Sequence, residues 1–307
     1  MTELLVAFLV SMIAAATPLL LAATGELVVE KAGVLNLGVE GMMLAGAVTG
    51  FAVAASGYGP WAAVLAAALA GAALSSIFAL LTLLLLANQV ATGLALTMFG
   101  IGLSALVGKP FLGMPLEALP ALPIPLLSDI PLLGPLLFRY DGMVYLAVAL
   151  TIALHLFFRH TRAGLVIRAV GENHDAAHAL GFPVRRIRFA CVLFGGAMAG
   201  LGGAYLSLAY TPMWAQNMTA GRGWIALALV VFATWKPLRV LAGALLFGGF
   251  TMAQLHAQGL GIAVPPEFLA MLPYLATVLV LVLISRDATR IRLNAPACIG
   301  KLFHPDD

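Results

Sequence analysis

Residues 159–188 read RHTRAGLVIRAVGENHDAAHALGFPVRRIR and separate two long apolar runs. They carry six of the sixteen Lys and Arg residues of the chain. A basic connection between runs long enough to cross a bilayer is the mark of a cytoplasmic loop in a polytopic protein. Both ends of a short helix are written inside it. Asn173 suits an N-cap, because its side-chain oxygen can accept a backbone N–H of the first turn. Asp175 adds negative charge where the helix dipole favours it. Gly181 suits the C′ position, where φ is positive, and Pro183 just beyond cannot continue a helix. Ala176, Ala177 and Leu180 then share one face at helical spacing. Two turns of helix are not stable alone in water. The segment therefore needs a surface, either the ends of its own spans or the groove of a partner.

Outward from this loop the composition is that of a membrane protein. Of 307 residues, 62% are hydrophobic and only 9% are charged, against about 25% charged in a soluble domain. The mean hydropathy is +1.05. The apolar runs are long and continuous, which excludes a transmembrane barrel and predicts an all-α, polytopic transmembrane bundle. The net charge of +3 is small and sits in loops, a pattern of membrane topology and not of nucleic-acid binding. Cys191 falls in an apolar run and Cys298 in a polar tail, so no disulfide framework is implied. The start MTELL lacks a basic n-region, so the first apolar run reads as a retained span, not a cleaved signal.

Spans are predicted at 4–23, 34–55, 61–87, 90–107, 143–158, 189–210, 240–258 and 268–285, all within one transmembrane domain covering 1–307. Residues 24–31 read as a polar connection. Trp61 suits an interfacial anchor. Seven prolines between 109 and 141 exclude a regular helix there and predict an external loop. Residues 224–235 are apolar but too short to span, so they read as a re-entrant or tilted half-helix. The total is about eight or nine spans, with 4–285 as the bundle and 286–307 as a cytoplasmic tail. With 159–188 inside, alternation leaves thirteen of the sixteen basic residues inside and only Lys109, Arg139 and Arg222 outside. That bias predicts an external N-terminus and, if 224–235 crosses, a cytoplasmic C-terminus.

Polar residues inside apolar runs are candidates for a translocation path. Glu40 reads as the one acid within a span, with Asn36 one turn before it. Asn88, Gln89 and Thr92, followed by Gly93, form a second polar break. Each group reads equally as a polar span end. The patterns Gly46-x-x-x-Gly50 and Gly196-x-x-x-Gly200, extended by Gly195, Gly202 and Gly203, predict close helix contact without saying which helices meet. His174 and His178 stand at i and i+4, as in a zinc-protease helix, but with Asp175 where a longer acid would be the base and no third ligand. They read better as solvent-facing histidines than as metal ligands. No phosphate-binding G-x-x-x-x-G-K-[ST] and no G-x-S-x-G occurs, so no ATP site, catalytic residue or cofactor is evident.

At this point the residues match a family. The run Glu30–Met43, EKAGVLNLGVEGMM, resembles the early "sGvlNLGxEGmM" signature of ABC importer permeases for branched-chain amino acids, simple sugars and nucleosides. Gly171, Glu172, Asn173, Ala176, Ala177, Leu180 and Gly181 resemble their "GeNpxAAxxlGi" coupling segment. Residues 195–206 resemble the "sGalAGlaGa" span that follows. His174 departs from the frequent Pro. The likeness runs from about residue 4 to 285 and is strongest to the shorter permease of purine-nucleoside importers with a basic membrane protein-type receptor. It implies a type II-like importer permease in a bacterial or archaeal plasma membrane. It also implies ABC ATPase subunits inside, a second homologous permease beside, and an extracytoplasmic substrate-binding protein outside. Gly171–Gly181 would then couple ATPase movement to the spans. Purine nucleosides are the implied cargo, with simple sugars as the alternative. A rival of another class is an ion-coupled secondary transporter using Glu40, favoured by a broken helix at 88–93.

Overall fold

The structure, a computed structural model, describes residues 2–131, 133–259 and 294–304, with single positions at 268, 271, 275, 278 and 282. Among these residues eleven α-helices and no β-strand occur. They are α1 (Thr2–Lys31), α2 (Val39–Ala55), α3 (Pro60–Ala79), α4 (Gln89–Gly108), α5 (Leu133–Leu137), α6 (Gly142–His160), α7 (Arg162–Glu172), α8 (His174–Ala179), α9 (Val184–Tyr205), α10 (Arg222–Phe232) and α11 (Pro237–Gly259). Short π-helical turns, Leu80–Leu84 and Leu206–Tyr210, extend α3 and α9. Six helices are long and apolar enough to cross a membrane; α2 and α10 are apolar but shorter. The last expected span, 268–285, lies outside the described residues except for four of those single positions and its first residue.

Helix starts follow local chemistry. Asn88, Asp141, Thr161 and Asn173 each cap the helix that follows with a side-chain oxygen. Pro60 opens α3, where its missing N–H costs nothing.

Three boundaries differ from the sequence reading. Residues 24–31 are not a connection but the last two turns of α1. Thr24, Glu26 and Glu30 are buried, and Lys31 at the helix end is partly buried. Glu40 is therefore not the only acid within a span. The second helix starts at Val39, after a non-helical stretch at 32–38. Arg222 is not in a free outer loop. It is partly buried at the start of α10, donating to the Met218 and Thr219 carbonyls.

The 109–141 segment is mostly irregular, as its prolines demand, apart from a 3-10 turn at Lys109–Phe111 and the five-residue α5. Single backbone bridges tie Leu112 to Trp214 and Pro115 to Met213. That end of the bundle lies opposite the one holding α7 and α8.

α9 runs through the middle, and glycine lets three helices touch it. A methyl group on Gly203 would lie 1.8 Å from the Met43 carbonyl oxygen of α2. On Gly196 it would lie 2.5 Å from the Gly71 carbonyl oxygen of α3, and on Gly195 2.2 Å from the Val29 side chain of α1. Lipid tails are as apolar as leucine, so helices associate in a bilayer through close van der Waals packing rather than by escaping water.

Gly203→Val should therefore destroy the bundle, since its neighbour is backbone and cannot move aside. Gly102→Ala on α4, where a methyl meets nothing within 4 Å, should be neutral. Size-exclusion profiles of detergent-extracted protein check this; a monodisperse Gly203→Val peak would refute the packing.

Candidate functional site

Two places gather the residues singled out in the sequence. The first is α8. Asn173 Oδ1 accepts the Ala176 N–H at 3.0 Å, so the N-cap forms as expected. Gly181 takes φ +86°, its N–H donates to His178 O at 2.8 Å, and the Phe182 N–H donates to Ala177 O at 3.1 Å. This pair of bonds is a Schellman close, and it satisfies carbonyls that the helix end would leave open. Gly171, just before, is buried, and a methyl on it would lie 2.1 Å from the Lys31 carbonyl oxygen at the end of α1. Glu172 is exposed.

The faces of α8 differ from the expectation. Ala177 turns inward, into a small apolar cluster with Val170, Val184 and Phe303. Ala176, Ala179 and Leu180 face out, and Leu180 is 78% exposed. His174 is not solvent-facing. It lies one turn before Ala177 on the same inner face and is buried. Its Nδ1 lies 2.9 Å from Arg188 Nη2. A guanidinium only donates, so Nδ1 is the acceptor and the proton sits on Nε2, 3.4 Å from Asp175 Oδ1. Burial first, and then the Arg188 charge, hold the His174 pKa below its usual 6.5. His178 is exposed. Among the described residues no group of three His, Cys, Asp or Glu side chains could hold a metal ion.

The second place is Glu40. It stands in the first turn of α2, and its carboxylate receives the start of α10. Thr219 Oγ1 donates to Oε1 at 2.5 Å, the Gly221 N–H to Oε1 at 2.8 Å and the Gly223 N–H to Oε2 at 2.6 Å. One carboxylate thus faces the N-termini of two helices, where both dipoles favour negative charge. Both helices are short: 17 residues in α2 and 11 in α10, or about 25 and 16 Å at 1.5 Å per residue. Neither reaches across a 30 Å core, which fits the half-helix expected at 224–235.

The chain that feeds α2 is pinned from all sides. Asn36 is buried; its Oδ1 accepts the Gly38 N–H at 2.9 Å, and its own N–H donates to Glu26 Oε1 at 3.3 Å. Gln89 is buried, and its Oε1 accepts the Leu35 N–H at 2.8 Å. Thr97 Oγ1 donates to Leu37 O at 2.9 Å. Non-helical backbone at this depth is tolerated only because its polar groups find such partners. Asn88 is exposed and Thr92 half-buried on the same edge of α4. Four groups here escaped the sequence reading: Glu26, Glu30, Thr219 and Trp235. Glu30 accepts the Trp235 indole N–H. The only local signal for these acids was their place ten and six residues before Asn36 of the quoted motif.

A family model described as "Branched-chain amino acid transport system / permease component" matches residues 8–283. The chain is 39% identical over 312 residues to a putative glucose ABC transporter permease protein of Haloferax volcanii, covering 94% of this chain and 95% of that protein. It is 35% identical to a nucleoside ABC transporter permease protein of Lactococcus lactis, covering 89% and 90%. It is 34% identical to a guanosine ABC transporter permease protein of Bacillus subtilis, covering 87% and 88%. No solved structure matches.

The Glu40 geometry sets an order of stabilities. Glu40→Leu strands three buried donors, each costing about 1–3 kcal/mol. Glu40→Gln keeps one acceptor oxygen but sets an N–H group against another donor. The thermal unfolding midpoint in detergent should fall in the order wild type, Gln, Leu; a Leu variant as stable as the Gln variant would show that these bonds do not hold α10.

Proposed function

This chain belongs to the family of branched-chain amino acid transport system permease components, and on that premise we propose that it carries nucleosides, purine nucleosides above all, through the membrane. It is an integral membrane protein and the permease subunit of an ABC importer for a sugar or a nucleoside. The family works with an ABC ATPase and a substrate-binding protein, and the chain's lack of a nucleotide motif agrees with that division. Two of the three relatives have nucleoside cargo in their names, which supports the nucleoside reading. The 39% relative supports a second reading, a hexose. Titrating the partner receptor with guanosine, adenosine and glucose decides between them.

The observation that carries the mechanism is Leu180. A large apolar side chain, 78% exposed, tops a helix whose opposite face is held by His174 and Ala177. In this reading Gly171–Gly181 is the coupling segment and its outer face enters a groove of the ATPase. ATP-driven closure of two ATPase subunits pushes α8, and the push reaches the spans through α7 and α9. A second homologous permease, longer than this one, completes the central path. We assign the wall of that path to α4 and the start of α2. Asn88 and Thr92 face it, while Asn36, Glu40 and Gln89 hold the backbone behind it. The basic end is cytoplasmic and the 109–141 segment external, as the charge bias indicates.

Leu180→Asp should insert normally yet lose at least tenfold in ATPase co-purification and in uptake, because a carboxylate in that groove is desolvated without a partner. Gly181→Val should act alike, since a β-branched residue resists φ +86°. Wild-type ATPase binding by Leu180→Asp would remove α8 from the mechanism.

Orientation needs exposed probes, because the Cys298 thiol is buried and donates to Glu172 O at 3.3 Å. In intact cells an impermeant thiol reagent should label Leu126→Cys but not Lys301→Cys. The reverse pattern would invert the topology.

A further inference from the structure

We infer that residues 294–304 are a working part of the coupling element: Phe303, seated between His174 and His178, holds α8 in place and completes a docking cleft for the ATPase subunit. The inference rests on α8 being the coupling helix. Six residues of α8 cannot hold their own position. Its inner face offers only His174 and Ala177, so the support comes from elsewhere.

Much of it comes from this segment. Phe303 is 6% exposed. Its ring centroid lies 5.3 Å from each imidazole, with planes crossed at 68° and 70°. Edge-to-face pairs of this kind add stability beyond burial. The His-x-x-x-His pattern, which suggested a metal helix in the sequence, is thus an aromatic socket with i, i+4 walls. The segment is tied along its length. Lys31 Nζ donates to Asn294 O at 2.9 Å, and the Cys298 N–H donates to Gly171 O at 2.9 Å. The buried Arg188 joins three parts at once. It donates to Ala32 O just past α1 at 3.0 Å, to Lys301 O at 3.2 Å and to His174 Nδ1 at 2.9 Å. A push on α8 therefore meets a support anchored to α1, α7 and α9, and does not merely bend a loop.

The same segment shapes the surface beside Leu180. A cleft of about 500 Å³ lies between His178 and Ala179 of α8 and Leu302, Phe303 and His304. It shares Ala179 with the exposed face of Ala176, Ala179 and Leu180. His174 and Asp175 line it too, so it combines apolar surface with imidazole groups and a carboxylate. It suits a side chain of the ATPase with an apolar stem and a polar tip.

The test uses the assembled transporter. Phe303→Ala should insert and purify as wild type but lose about tenfold in ATPase co-purification and in ATP-dependent uptake, with Phe303→Tyr restoring both. A photoreactive thiol label on the exposed His304→Cys should crosslink to the ATPase, while the same label on Tyr58→Cys, at a turn between spans, should not. Wild-type coupling in Phe303→Ala, or no crosslink from position 304, overturns the inference. If Phe303→Ala fails to insert, the crosslink from 304 decides alone. Leu180→Asp run in parallel separates the two ideas. If it uncouples while Phe303→Ala does not, α8 couples without this support. If neither uncouples, the coupling-helix reading itself falls.

Discussion

One carboxylate holds together two broken crossings of the bundle. Glu40 accepts a hydroxyl and two backbone N–H groups from the start of α10 while standing in the first turn of α2. Each helix end has donors that its own backbone cannot satisfy. In a bilayer core water cannot satisfy them either, so their burial would be prohibitive without an acceptor. A neutral side chain would bring less, because two positive dipole ends converge there. Glycine at 223 follows from the same geometry: a methyl group there would lie 2.6 Å from the backbone of Glu40.

Around this joint the bundle is set by distance of approach. α9 meets α1, α2 and α3 through glycines where a single methyl would strike a neighbour, backbone atoms in two of the three cases. Such contacts are stiff. Small residues give no room for a side chain to yield, so a displacement of α9 moves its neighbours with it. The irregular 32–38 segment is the softer element by its backbone, yet Asn36, Gln89 and Thr97 hold it with hydrogen bonds from two sides. A permease that must open and close thus combines a rigid glycine-packed centre with half-helices whose ends rest on one side chain.

The α8 end has the complementary logic. A short helix is exposed on one face and anchored on the other by Arg188, His174 and Phe303. Arg188 stands in the second turn of α9, the stiff central helix, so the place where a partner would press is bonded to the element best able to carry the movement. The direction of the His174 bond, with Nδ1 accepting, keeps that imidazole neutral beside a guanidinium.

Much of this was legible in the residues. Long apolar runs with few charges declare a helical membrane protein, because an unpaired charge in lipid is costly. Caps at Asn173 and Gly181 declare α8, because capping is local chemistry, and both ends formed as read. The short run at 224–235 declares a half-helix by length alone. The partners of these elements were not legible. Whether Glu26 and Glu30 lie in a loop or in a helix depends on Trp235 and Asn36 reaching them, and a window of sequence contains no such information. Ala177 and Leu180 look alike in a helical wheel; only contact with α7 and α9 turns one inward and leaves the other in solvent. His174 and His178 show a spacing, and only Phe303, 125 residues further along the chain from His178, makes that spacing a socket. Composition, periodicity and caps are local and were determined by the sequence by itself. Which buried polar group meets which was decided by tertiary packing, because in a low-dielectric interior each acceptor must find its donor across the bundle.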